Sequence, residues 1–144
     1  MVSLDLDNSS LLTLDGPNGF GKTSIFDAIE LLLTGQIKRI DNLFTKLMNK
    51  KQVNYDDNLF WNTRAGEKDL TIKIEFIHQE RTITLARHAT ANSLKQKALN
   101  RADSFSQFLL YDLPEFSSTD YSLDNFQENQ YIDKLFGENF RENF

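Results

Sequence analysis

The sequence predicts an α/β fold on three observations: an apolar run that enters a glycine-rich turn and leaves it as an amphipathic helix, a pair of strictly alternating segments that reads as an antiparallel hairpin, and a bulk composition suited to one core. With 144 residues, 40% hydrophobic and 26% charged, and only 2 Pro and 6 Gly, residues 1–144 fit a single globular domain. A larger whole, of which these residues are one part, is expected.

Val2 to Asp7 alternates apolar and polar residues as a half-buried strand does, Asn8-Ser9-Ser10 reads as a turn, and Leu11 to Leu14 forms a second apolar strand. The glycine-rich segment follows at once. From Lys22 the residues Ile25, Phe26, Ile29, Leu32 and Leu33 recur at helical spacing until Thr34-Gly35 stops them. Ile40, Leu43, Phe44, Leu47 and Met48, with lysines between, predict a second helix or helical insertion within 37–54. Residues 54–68 are rich in Asn, Asp and Gly and read as a loop anchored by Trp61.

Leu70 to Phe76 alternates strictly, and Thr82 to Arg87 resumes the alternation after His78-Gln79-Glu80, which predicts a β-hairpin over about 70–87. Ala89 to Ala102 is polar and helix-tolerant. Phe105 to Leu110 is a short buried run, continued by Tyr111 and Asp112, and Phe116 to Gln130 is acidic and polar with scattered aromatics. A helical segment is expected over about 126–144, broken at Gly137.

With 21 acidic against 16 basic residues the net charge is −5, so no global positive field draws the chain to nucleic acid, and any DNA contact must be local. The absence of cysteine excludes disulfides and thiolate metal sites, and His78 and His88 lack the partners of a zinc site. The longest apolar run, Ile29 to Leu33, is interrupted by Glu30, and no export signal is evident, so a cytoplasmic chain without a membrane span is expected.

The strongest motif is Gly16-Pro17-Asn18-Gly19-Phe20-Gly21-Lys22-Thr23. Glycines suit it because consecutive backbone N–H groups must curl around phosphates, which demands positive φ and no obstructing side chains. The turn opens a helix, whose unpaired amides and dipole favour negative charge. Lys22 is placed to reach the β- and γ-phosphates, the Thr23 hydroxyl to ligate Mg²⁺, and Ser24 to meet the α-phosphate. Backbone at Gly16, Asn18, Gly19, Phe20 and Gly21 completes the predicted ATP cradle. Such a pattern arises by chance in roughly one chain in a few hundred of this length, and its position between strand and helix makes a ligand-free glycine turn the weaker explanation.

From Gly16 through Glu30 and the Leu-Leu-Leu-Thr-Gly that follows, the sequence resembles the SMC-type ATPases, an ABC-class DNA-repair group that includes SbcC, RecN and RecF. The hairpin resembles the β-rich part of that family's N-terminal head lobe, and Leu135-Phe136-Gly137 resembles the region entering its coiled coil. The resemblance implies a P-loop N-terminal lobe with an added antiparallel hairpin, ATP and Mg²⁺ as ligands, and hydrolysis on head dimerisation. It also implies a C-terminal head lobe or second head as partner, a homodimer by default, with double-stranded DNA and a nuclease or effector subunit in a repair or antiphage setting. Neither a Ser-Gly-Gly signature nor a late Asp-Glu pair is found, so the chain alone should hydrolyse ATP poorly.

Asp112 carries three readings. It stands where the family places its Q-loop glutamine, Gln107 lying before the strand, and Phe108-Leu109-Leu110-Tyr111-Asp112 also resembles a Walker B strand whose carboxylate would act in catalysis and hold the Mg²⁺ water shell. The third is a strand-terminating aspartate that makes a local turn with Leu113-Pro114. Lys38, Arg39, Lys46, Lys50 and Lys51 read as a solvated helix face, with DNA phosphates as the sharper alternative. Arg87 is expected either near nucleotide or DNA, or at a strand end in solvent. Rival functions are another P-loop NTPase or phosphotransferase, although no Asn-Lys-x-Asp guanine motif is found, and a non-hydrolysing module in which ATP joins two chains.

Overall fold

The computed structural model describes residues 21–42, 68–94, 108–121 and 128–143, together with Asp5, Leu6, Thr13, Asp15 and Pro17. Its elements are α1 (Lys22–Thr34), β1 (Leu70–His78), β2 (Arg81–Ala89), α2 (Ala91–Leu94), β3 (Leu109–Leu113), α3 (Glu128–Phe136) and α4 (Phe140–Asn143), with a helical stretch over 38–42. Of the expected strands over 2–7 and 11–14 only Asp5, Leu6 and Thr13 are described, and Trp61 and Gln107 lie outside the described residues.

α1 occupies the span its apolar spacing predicts. It ends because Gly35 takes φ 77°, a left-handed conformation that an L side chain resists, while its N–H donates to the Leu31 carbonyl at 2.9 Å. The hairpin is present and longer than expected, paired from Leu70↔Ala89 to His78↔Arg81. β3 adds antiparallel to the other side of β2, giving the order β1-β2-β3. The expected helix after residue 126 is α3, and the chain breaks at Gly137 before α4.

Alternation sends the two faces of the sheet to different covers. On one, Leu85 and Leu110 pack with Leu32 and Leu33 of α1 and Ile132 of α3, flanked by Ile72, Ile74 and Phe76. Leu31, Ile37 and Ile40 continue this layer against Ala89 and Phe108. Each buried Leu or Ile contributes roughly 1.5–3 kcal/mol, so this interface holds the helices to the sheet. On the other face Ala86, Tyr111 and Leu113 are covered by Tyr121. Tyr121 lies flat on His88 with ring centroids 4.0 Å apart, and Lys73 donates to the carbonyls of Phe116 at 2.9 Å and Ser118 at 2.6 Å. The polar stretch after β3 is thereby a strap across the sheet, a role its composition does not reveal.

Phe26 departs from the helical stripe that its spacing suggests, for it is 66% exposed. The apolar face of α1 is engaged mainly in its last turn, where Leu31, Leu32, Leu33 and Thr34 are buried.

The hairpin turns through two residues, Gln79 at φ 48° and Glu80 at φ 62°. This is the mirror-image turn that matches strand twist, built here without the glycine or asparagine it favours. Replacing Gln79-Glu80 by Asn-Gly should stabilise the protein by about 1 kcal/mol, since left-handed conformations cost ordinary L-residues about that much. A higher urea midpoint at unchanged slope is the expected readout.

Candidate functional site

The N-terminus of α1 is the first half of the site. Gly21 sits just before the helix at φ 80°, and its carbonyl accepts the Ile25 N–H at 3.2 Å. Among the described residues a Cβ there would meet nothing within 4 Å, and the positive φ by itself calls for glycine. The N-cap residue Gly21 has no side chain with which to cap the first turn, and no acidic residue lies in that turn. The half-buried Lys22 turns back over the loop, its Nζ donating to the Pro17 carbonyl at 2.9 Å, while Thr23 and Ser24 are exposed. Gly16, Asn18, Gly19 and Phe20 lie outside the described residues. A helix N-terminus entered through glycine, with a cation at its entry and two exposed hydroxyls in its first turn, favours a bound anion.

Arg87 corrects the expectation of a strand-end arginine in solvent. It is 1% exposed. Its Nε donates to the Leu32 carbonyl in the last turn of α1 at 3.0 Å, and Nη1 donates to the Phe108 carbonyl at 2.7 Å. Nη1 and Nη2 also fork onto the carboxylate of Glu128, the first residue of α3. A signal for this was present. Strand alternation puts Arg87 on the face of Ile83, Leu85 and Ala89, and a lone guanidinium on an apolar face must find acceptors inside.

Asp112 is an exposed residue of β3 opposite Leu85, and the strand continues one residue past it before Pro114. Its carboxylate accepts a hydrogen bond from the Tyr131 hydroxyl of α3. Burial, reinforced by that hydrogen bond, pushes the Tyr131 phenol well above its ordinary range, so Tyr131 stays the donor. Asp112 thus ties the sheet to α3 through a tertiary contact.

The two described members of the basic stretch are engaged. Arg39 forks onto Asp27 of α1, a hydrogen bond that raises its already high pKa. Lys38 donates its backbone N–H to Glu30 at 3.0 Å and its ammonium to the Glu142 carbonyl at 3.4 Å. Lys46, Lys50 and Lys51 lie outside the described residues.

Burial, with the Glu30 carboxylate adding to it, pushes the Asp41 carboxyl above its ordinary value. A raised carboxyl favours the fold only below the ordinary carboxylate pKa, and that contribution is lost as pH rises through the folded value. Asp41→Asn should therefore raise the melting temperature at pH 7, with the gain shrinking toward pH 4. Likewise Arg87→Ala should cost about 3–5 kcal/mol, because it strands a carboxylate and two carbonyls, and thermal unfolding measures it.

Among the described residues no helix is long and apolar enough to cross a membrane. No curated protein and no solved structure matches the chain. A family model described as an AAA domain matches residues 2–143, nearly its whole length, spanning the glycine-rich motif, the sheet and α3. The chain belongs to this AAA-domain family of P-loop ATPases.

Proposed function

We propose that the chain is the N-terminal lobe of an SMC-like ATPase head, of the SbcC, RecN and RecF type, and that it binds Mg-ATP at the N-terminus of α1. Family membership supports an ATPase-like domain that uses a nucleotide and, usually, Mg²⁺. The observation that carries the assignment is the helix N-terminus entered through left-handed Gly21, with no acidic residue in its first turn and Lys22 folded back onto the Pro17 carbonyl. Lys22 would exchange that carbonyl for phosphate oxygens, an ion pair in place of a hydrogen bond to a neutral acceptor. Backbone at Gly16, Asn18, Gly19, Phe20 and Gly21 would cradle the phosphates, with Ser24 at the α-phosphate and the Thr23 hydroxyl toward the metal. Mg²⁺, which the Thr23 hydroxyl would help to hold, would supply positive charge that neutralises the phosphates.

Hydrolysis belongs in this scheme to the assembled head, in which a C-terminal lobe or a second copy supplies the signature and the catalytic acid. Asp112 would serve catalysis and the metal through Oδ1, since the Tyr131 hydroxyl engages its Oδ2. That engagement favours a second reading, in which ATP joins two heads without being consumed by this lobe. Duplex DNA as the substrate, a nuclease or effector subunit, a coiled coil beyond α3 and a cytoplasmic setting complete the proposal, and the net charge of −5 restricts DNA contact to a local patch.

Lys22→Ala should keep the far-UV spectrum and weaken Mg-ATP binding roughly 10- to 100-fold, the loss of one charge-assisted contact. Isothermal titration of both proteins is the measurement. Equal affinity would sink the assignment.

A further inference from the structure

The fork at Arg87 grips the end of α1 opposite to Lys22. α1 has 13 residues, about 20 Å of stiff helix, with an exposed N-terminal turn and a buried last turn. The placement of Lys22 and Thr23 along the helix axis is therefore decided largely at the C-terminal end. Apolar packing there is non-directional and resists sliding weakly. A planar guanidinium bonded at once to the Leu32 carbonyl, the Phe108 carbonyl and both oxygens of Glu128 is directional, and it sits on the central strand. Gly35 lets the chain pass beside it, for an added Cβ would come within 3.1 Å of Glu128 Oε1 and 3.2 Å of Arg87 Nη2.

We propose that Arg87, oriented by Glu128, is a positioning residue for phosphate binding: it sets the axial placement of α1 on the sheet and so the placement of Lys22 and Thr23. The proposal rests on the phosphate site described above. Its consequence is that Glu128, more than a hundred residues along the chain from the loop, governs affinity for the phosphate portion of the ligand, because the groups that α1 carries meet phosphate and not base.

The test titrates the full chain with Mg-ATP and with inorganic tripolyphosphate, as wild type, Lys22→Ala and Glu128→Gln, well below the unfolding midpoint of each. Glu128→Gln keeps the shape and one acceptor but removes the charge. It should weaken both ligands by the same factor, about tenfold, with helix content unchanged. A folded Glu128→Gln that binds both ligands like wild type overturns the positioning role and leaves the phosphate site standing, provided Lys22→Ala still loses binding. Weakening of ATP alone overturns it too. Wild-type protein that binds neither ligand overturns the phosphate site and the positioning role together. If Glu128→Gln does not fold, the wild type decides. The buried Nε–H of Arg87 gives its own NMR resonance, which should shift at saturating tripolyphosphate, and a resonance that stays in place at saturation refutes the proposal.

Discussion

A guanidinium keeps its charge at any pH a protein survives, so a buried arginine must be surrounded by acceptors, and the architecture around Arg87 follows from that constraint. The Leu32 carbonyl comes from the C-terminal end of α1, where the helix dipole is negative. Glu128 comes from the N-terminal end of α3, where the dipole favours a carboxylate. The Phe108 carbonyl comes from the entry to β3. One side chain on the central strand thus fixes two helices and the third strand, and the backbone reverses beside it at a residue with no Cβ.

Around that anchor, both faces of a three-stranded sheet carry apolar side chains, and each needs its own cover. The helices take one face. On the other, the strap after β3 is held by Lys73 through two backbone carbonyls and by Tyr121 against His88 and Tyr111. Lysine suits this place because its stem lies along the apolar sheet while its ammonium reaches acceptors and two aromatic rings.

α1 is consequently divided in its duties. Its last turn is buried and bonded, which makes it an anchor, whereas its first turn leaves Thr23 and Ser24 exposed. Rigid support at one end and an accessible turn at the other suit a phosphate site on a helix. Tyr131 and Asp112 join α3 to the sheet a second time, so the helix following the strap is held at Glu128 and again at Tyr131.

The amino-acid sequence by itself determined the local features: the span of α1 and its stop at Gly35, the hairpin, the break at Gly137, and the glycine-rich motif with Lys22 and Thr23. Each follows from periodicity, backbone conformation or short-range chemistry, which act between residues close in the chain. Tertiary structure alone decided that Arg87 is buried between Leu32, Phe108 and Glu128, that Asp112 meets Tyr131, and that a polar stretch straps the sheet through Lys73. Those partners lie 19 to 55 residues apart, and nothing local specifies which acceptor a distant donor will meet. Packing brings the elements together first, and the cost of an unpaired buried charge then selects the arrangement.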